Sequence, residues 1–519
     1  MKVSGWVRAG TGVVLCVVGF VLAHATPFRE RTVIVDASGC RMVTDIVDAG
    51  EDTVQGSVVL LHGLAANKKI MSYLARGFAL VDLRVFVPDL PGHGRTPGPF
   101  SFARAEACGD SFVRQLIARG AVDPTRTILA GHSMGGALAV RMAARMPVAG
   151  IIAISPAPMV TSYGVPASML PFRDPPATAA NTLVLSASGE PRIVRDSASA
   201  LLSGTAGATG KYMVVPRSSH VSLLFDPEVA HEAQTWAARV LKVDTHAPPL
   251  PWRVPLAGSM VGFAGILLLA GPFLRETLGL TSIRTDAEVE AKVSAPMEKD
   301  EPGSPIIAPP TGRILVEIGV ASVVIVALLR LWNPFGVLHI FEGDYLAGFL
   351  LILGIALLLL HRKVVGSLWQ IKTGRLLAAA FAALVLPLLI YSWLDLTVSE
   401  AWFTVGRWLR LPAMCVVVLP YHAAEELLLG PLRARSGTIR LLVGLALRLV
   451  AWGALLGGIL VLQNGEILLL LLAPYFAVFC LFQRTGMDVV RKGTGSPLAA
   501  AIFGAILLAG FCVVVFPIT

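Results

Sequence analysis

The stretch Thr127-Ile128-Leu129-Ala130-Gly131-His132-Ser133-Met134-Gly135-Gly136 decides the fold of the N-terminal half of this chain. A short apolar run, typical of a buried strand, ends at Gly131, and a helix-like run follows over residues 136–145. A serine between two glycines at such a turn is typical of a nucleophile elbow, because the turn leaves no room for side chains at the glycine positions and presents the hydroxyl above the sheet. The stretch therefore predicts Ser133 as a nucleophile, with Gly131 and Gly135 shaping its turn.

A second apolar run, residues 58–61, ends in His62-Gly63-Leu64. A backbone N–H near Leu64 can supply one donor of an oxyanion hole, and the N–H of Met134 can supply the other. The side chain of His62 is expected to be structural. The glycine-rich loop 89–96 lacks the spacing of a phosphate-binding loop, so we expect it to shape the rim of the same site.

The His-Gly, Asp-Leu-Pro-Gly-His-Gly and Gly-His-Ser-Met-Gly-Gly motifs together resemble the α/β-hydrolase superfamily, particularly its lipase, esterase and serine-aminopeptidase-like branch. The similarity covers about residues 30–242. Short apolar runs alternate with helix-like segments in this range, a pattern that by itself predicts a mostly parallel sheet with helices on both faces. The predicted strands are Thr32–Asp36, Arg41–Val47, Val58–Leu61, Val85–Pro88, Thr127–Gly131, Gly150–Ser155, Thr182–Ser186 and Tyr212–Val215.

The chain order of the family, serine then acid then histidine, directs attention downstream of Ser133. The resemblance implies Glu190 as the acid, at a position where the family usually has aspartate, and Asp196 is the reserve candidate. His220 follows a predicted strand and is the natural base. About 25 residues between Ser155 and residue 181 leave room for a short lid.

These residue types predict a specific chemistry. A serine hydroxyl is a poor nucleophile at neutral pH, and an imidazole with a pKa near 6.5 can take its proton and return it to a leaving group. The expected activity is a serine hydrolase that cleaves an acyl ester, such as a lipid, through an acyl-enzyme, without a cofactor or metal. Two alternatives stay open: a peptidase of the same fold, and a transporter or sensor whose hydrolase-like domain binds a ligand without turnover.

The composition excludes a wholly water-soluble protein. Of 519 residues, 55% are hydrophobic and 15% are charged, whereas soluble proteins carry about 25% charged residues. We divide the chain into a signal peptide or N-terminal anchor (1–26), an α/β-hydrolase domain (27–243), a linker (244–254) and an all-α polytopic membrane domain (255–519). Long apolar stretches predict about eight transmembrane helices there, including one at 376–394, so the lipid bilayer is an expected partner.

Basic residues predict the orientation of the chain in the membrane. They are concentrated in alternate loops of the membrane domain. Of the intervening loops, 332–344 and 463–466 contain none, and 395–411 contains only Arg407 and Arg410. Since Lys and Arg favour the cytoplasmic side, this alternation predicts that the hydrolase domain is extracytoplasmic. The formal net charge of +9 is therefore explained by topology, and no nucleic-acid partner is expected.

Two further features carry weaker signals. Six scattered cysteines are too few for a disulfide scaffold, and no CxxC pair indicates zinc. In the membrane domain, His422, Glu425 and Glu426 lie within an apolar stretch, and the glutamate pair resembles that of CAAX-type intramembrane metalloproteases. The arginine expected after the pair is absent, and no histidine follows His422. We interpret these residues as a polar cluster that bonds neighbouring helices, with no metal.

Overall fold

The computed structural model describes residues 5–50, 54–159, 172, 181–204, 209–243, 253–277, 311–332, 336–369, 385, 387–430, 437–463, 465–494 and 496–519. The segment between Ser155 and residue 181, where a lid is predicted, lies mostly outside these residues. The first part of the predicted membrane span 376–394 also lies outside them.

An eight-stranded sheet organises the N-terminal half, with the strand order β1-β2-β4-β3-β5-β6-β7-β8. The pairs β1/β2 and β2/β4 are antiparallel and all other neighbours are parallel. All eight predicted strands are present, with ends that differ by a few residues. The strands are Arg29–Ala37 (β1), Cys40–Asp48 (β2), Gly56–Leu61 (β3), Leu83–Pro88 (β4), Thr127–His132 (β5), Gly150–Ile154 (β6), Asn181–Ala187 (β7) and Gly210–Val215 (β8).

Helices cover both faces of this sheet, as the alternating pattern predicts. One face packs against Ser72–Ala79 (α2) and Pro227–Leu241 (α6), and the other against Phe102–Ala118 (α3) and Met134–Ala143 (α4). Arg192–Ser199 (α5) follows β7. The central strands β5 and β6 are buried along their whole length. The parallel strands therefore present their carboxyl ends at one edge of the sheet, where β5 leads to Ser133.

A disulfide joins Cys40, at the start of β2, to Cys108 in α3. The count of six scattered cysteines gave no signal for this bond, because the pair is 68 residues apart in the chain and meets only when α3 packs across the sheet edge. The remaining cysteines are free: Cys16, Cys415, Cys480 and Cys512.

Long apolar helices dominate the rest of the chain. They are Gly5–Ala23 (α1), Val254–Thr277 (α7), Thr311–Leu331 (α8), Gly343–Leu360 (α9), Val405–Leu428 (α10), Gly437–Leu462 (α11), Ile467–Thr494 (α12) and Pro497–Val515 (α13). A helical segment at 387–397 precedes α10. Among the described residues, seven helices are long and apolar enough to cross a bilayer, and α7 contributes a shorter apolar stretch, Val254–Leu269.

Helices α1 and α7, which flank the hydrolase domain in the chain, pack closely against each other through small residues. A Cβ added at Gly19 would lie 2.3 Å from the backbone nitrogen of Gly262, and one at Gly265 would lie 2.7 Å from the carbonyl oxygen of Gly12. Such close backbone contact is typical of helices that associate within a membrane, where burial from water does not drive association. The outward side chains are apolar and exposed, for example Val320 in α8.

Charged side chains of α10, α11 and α12 form a buried network inside the membrane domain. Its members are His422, Glu425, Glu426, Arg440, Arg448, Gln483, Arg484, Asp488 and Arg491. The Arg448 guanidinium donates to both oxygens of Glu425, at 2.7 and 2.8 Å, and Arg491 donates to Glu426 at 3.1 Å. Ion pairs between neighbouring helices agree with the interpretation of a bonding cluster, because buried charges need partners. Among the described residues, no group of three or more metal-ligating side chains could hold a metal ion.

The sheet-containing N-terminal part contacts the helical C-terminal part at one end of the helix bundle. The N–H of Phe100 donates to the carbonyl oxygen of Ile518 at 2.6 Å, and the N–H of Ile518 donates to that of Gly92 at 3.2 Å. The rings of Phe100 and Phe341 meet edge to face with centroids 5.2 Å apart. These contacts place the glycine-rich loop after β4 against the segments before α9 and after α13.

Candidate active site

Ser133 occupies a strained turn between β5 and α4. Its φ angle is +53°, a region that residues with side chains rarely adopt, so the surrounding structure must hold it. The Ser133 N–H donates to the carbonyl oxygen of Ile154 in β6 at 2.9 Å. A Cβ at Gly131 would lie 2.3 Å from the backbone of Gly135, and one at Gly135 would lie 2.2 Å from the carbonyl oxygen of Leu61. Both glycines are therefore required by close backbone approach.

Three predicted site residues that are far apart in the chain meet at this turn. Nε2 of His220 lies 3.0 Å from the hydroxyl oxygen of Ser133, and its Nδ1 lies 2.6 Å from Oε1 of Glu190. The serine hydroxyl can donate to Nε2, while Nδ1–H donates to the carboxylate. The three groups thus form a continuous hydrogen-bonded chain from a buried carboxylate to a hydroxyl.

Glu190 is held in one position by several donors. Its side chain is 4% exposed. The N–H of Ala187 donates to Oε2 at 3.0 Å, and the hydroxyl of Ser155 donates to Oε1. Burial by itself would raise the pKa of Glu190, but the hydrogen bond and charge of His220, together with Ser155 and the Ala187 N–H, outweigh it and lower the pKa below its usual value. Glu190 is therefore a carboxylate at neutral pH and can stabilise a protonated His220.

Ser155 is a site residue that the sequence analysis missed. It follows β6 with a φ angle of +47°, and its hydroxyl oxygen lies 3.2 Å from Nδ1 of His220 as well as bonding Glu190. The available signal was its position directly after a buried strand of the parallel sheet, at the edge where the other site residues lie. Serine after a strand is common, so the position alone did not identify its role.

The other histidines near the site have their pKa values lowered by burial. Burial lowers the pKa of His62 to about 4, and burial together with the neighbouring His220 lowers that of His132 to about 3. Both are neutral at physiological pH and make structural bonds. Nε2 of His62 accepts from the N–H of Leu90 at 2.9 Å, and Nε2–H of His132 donates to the carbonyl oxygen of His220 at 2.7 Å. His132 therefore fixes the backbone of the candidate base.

The two residues predicted to supply the oxyanion donors lie near the serine in different ways. Met134 begins α4 directly after Ser133, with its N–H among the unpaired donors of the helix start. Gly63 lies so close to the turn that a Cβ there would be 3.1 Å from that of Ser133, and Leu64 is the next residue. The reserve acid Asp196 lies instead in α5, with a half-exposed side chain 3.6 Å from Arg192. Of the two candidate acids, the structure brings Glu190 to the histidine.

Comparison with known proteins identifies similar sequences and folds. Residues 58–312 match the alpha/beta hydrolase family. A pimeloyl-[acyl-carrier protein] methyl ester esterase of Aromatoleum aromaticum is 32% identical over 155 residues, which are 26% of this chain and 57% of that protein. A monoacylglycerol lipase of Mycolicibacterium smegmatis is 33% identical over 121 residues, which are 23% of this chain and 43% of that protein.

The chain spans about half of the length of these curated relatives. Among solved structures, the hyperthermophilic esterase of Pyrobaculum calidifontis is similar at 18% identity and a TM-score of 0.36, over 46% of this chain and 93% of that one. The N-terminal half has the α/β-hydrolase fold, and residues of this half match the family model, so the fold class predicted from the motifs is confirmed. A helical region with several long apolar helices follows it.

The contacts of Ser155 generate a prediction for the reactivity of Ser133. In Ser155→Ala, Glu190 loses a donor and is held less firmly against His220, at a cost of about 1–1.5 kcal/mol. We expect Ser133 to react about tenfold more slowly with a fluorophosphonate probe. Asp196→Asn is the matched control and should react at the wild-type rate. Slow labelling of Asp196→Asn beside normal labelling of Ser155→Ala would assign the acid to Asp196.

Proposed function

We propose that this protein is a membrane-anchored serine hydrolase that cleaves an acyl ester through an acyl-enzyme on Ser133. The proposal depends chiefly on the two hydrogen bonds in series, 3.0 Å from Ser133 to His220 and 2.6 Å from His220 to Glu190. The strained elbow and the buried, multiply bonded carboxylate support it further. A domain that only bound a ligand would have no need for this geometry.

The reaction follows from the positions of these groups. As the Ser133 oxygen attacks the ester carbonyl carbon, its proton passes to Nε2 of His220, and Glu190 stabilises the resulting imidazolium. The backbone N–H groups of Leu64 and Met134 stabilise the negative charge on the carbonyl oxygen. His220 then returns the proton to the departing alcohol. Water attacks the acyl-enzyme by the same route, releasing the carboxylic acid and restoring the serine.

Two observations support an ester, and a lipid-like one, as the substrate. The relatives with assigned activities described above are an esterase and a lipase by name. Leu64, beside the nucleophile, packs both against the hydrolase core and against the core of the membrane domain. The site therefore lies next to the apolar part of the protein, where an acyl chain from the membrane is available as substrate.

The same domain arrangement supports an extracytoplasmic site. The segments that touch the hydrolase domain, around residues 341, 395–400 and 518, belong to loops that the distribution of basic residues predicts to be outside. The Cys40–Cys108 disulfide supports the same side, because disulfides persist mainly in oxidising compartments. The packing of α1 on α7 supports retention of the N-terminal helix as an anchor.

Substitution of the three residues tests the proposed mechanism. We expect Ser133→Ala to abolish fluorophosphonate labelling and to lower kcat on p-nitrophenyl esters by at least about 10³-fold, with His220→Ala similar and Glu190→Gln lower by about 10²–10⁴-fold. Wild-type turnover by purified Ser133→Ala would contradict the proposal.

A substrate panel distinguishes the hypothesis of an esterase from that of a peptidase. Because the proposed site lies beside an apolar surface, we expect kcat/KM to rise with acyl length from acetyl to octanoyl p-nitrophenyl esters, and aminoacyl p-nitroanilides to be turned over much more slowly. Faster turnover of the anilides would instead support a peptidase.

Cysteine labelling tests the orientation. Arg119→Cys places an exposed thiol on the hydrolase domain, and Lys363→Cys places one after α9, at the opposite end of the bundle. An impermeant maleimide should label the first variant in intact cells and the second only after permeabilisation. The wild type, whose free cysteines lie in apolar helices, is the control. The reverse pattern would place the hydrolase domain in the cytoplasm.

A further inference from the structure

The loop between β3 and α2 touches the membrane domain directly after it passes the nucleophile. Three consecutive residues of this loop, Asn67, Lys68 and Lys69, bond to the segment 395–400, which contains the end of the helical residues 387–397 and the turn after it. The partners are more than 320 residues apart in the chain. One short segment of the membrane domain thus holds the whole end of the loop.

Each of the three bonds has a different kind of acceptor. The side-chain amide of Asn67 donates to the hydroxyl of Ser399 at 2.9 Å. The ammonium of Lys68 pairs with the carboxylate of Glu400, and that of Lys69 donates to the carbonyl oxygen of Asp395. Because three consecutive residues are bonded at three different acceptors, this end of the loop is fixed at more than one point.

The Lys68–Glu400 pair is fully enclosed, since each side chain is only 2% exposed. Asp45 and Asp89 lie 3.6 and 3.8 Å from the same ammonium. Burial alone would lower the pKa of Lys68, but Asp89, Glu400 and Asp45 outweigh it and raise the pKa. A buried ammonium surrounded by carboxylates has little freedom to move, because any displacement leaves charges without partners.

Residues 67–69, the end of the loop that is bonded to the segment 395–400, are connected to the nucleophile by a strained segment. Gly63 lies against Ser133, as described above, and Ala65 has a φ angle of +60°. The N–H of Ala65 donates to Nε2 of His93 at 3.3 Å, and the N–H of Lys68 donates to Asp89 at 2.8 Å. A strained alanine persists only where its surroundings hold it. Leu64 lies between Gly63 and this alanine, so contacts that fix residues 67–69 bear on the short segment that carries the Leu64 N–H.

We propose that Ser399 and Glu400 of the membrane domain are positioning residues for the hydrolase site, and that they hold the loop 63–69 so that the Leu64 N–H points at the reacting carbonyl oxygen. This inference rests on the proposed function. In this arrangement the membrane domain does more than anchor: the hydrolase is fully active only while it is docked on residues 395–400.

The test measures turnover per active site in full-length Ser399→Ala and Glu400→Gln. Active sites are counted by fluorophosphonate labelling to saturation, so loss of folded protein does not enter kcat. Removing a whole oxyanion donor costs about 10²–10³ in kcat. A misdirected donor should cost less, and we expect kcat to fall about 10- to 100-fold in Glu400→Gln and three- to tenfold in Ser399→Ala, with KM within twofold.

A control and a double-mutant cycle make this test specific. Tyr73→Phe removes a hydroxyl that bonds Arg253, in the linker directly before α7, at 3.2 Å, and should change kcat less than twofold. Asn67→Ala combined with Ser399→Ala should lower kcat no further than Asn67→Ala alone, because both remove the same bond.

Two results would overturn the inference. If Glu400→Gln and Ser399→Ala keep the wild-type kcat per labelled site while Ser133→Ala is inactive, the segment 395–400 only joins the two domains. The proposed function then stands. If Ser133→Ala keeps full activity, both the proposed function and this inference fail.

Discussion

The arrangement of the hydrolase site depends on one buried carboxylate, that of Glu190. A carboxylate out of water is stable only when donors satisfy it, and here His220, Ser155 and the Ala187 backbone do so. These donors come from three different parts of the sheet edge: the loop after β8, the end of β6 and the end of β7. Because each strand must end at the correct height for its donor to reach Glu190, the parallel register of β6, β7 and β8 is a condition for the hydrogen-bonded chain that ends at Ser133.

Much of the fold and of this site could be predicted from the sequence because both rest on local patterns. Buried parallel strands are short apolar runs, and all eight were recognisable. The elbow at Ser133 carries its own glycines, which the backbone contacts at Gly131 and Gly135 require. Ser155, the Cys40–Cys108 bond and the Lys68–Glu400 pair could not be predicted, because their partners are 35, 68 and 332 residues away in the chain and have no local signature.

The membrane half shows a second consequence of satisfying buried charge. Within its helices, arginines of α11 and α12 pair with Glu425 and Glu426 of α10, and these ion pairs hold three helices together. At the opposite end, the partners of Glu400 are supplied by a different domain, through Lys68 and Arg95. The carboxylate of Glu400 has its buried charged partners in the other domain, so this pairing favours docking of the two halves of the chain against each other.

Covalent linkage makes such a polar contact effective. Two separate proteins would lose translational and rotational freedom on docking, and a few ion pairs and hydrogen bonds rarely compensate for that loss. Here α1 and α7 tether the hydrolase domain at both ends to the same bundle, so docking is intramolecular and its effective concentration is high. The contact can therefore be small and polar, as it is at residues 67–69, and still fix the loop beside Ser133.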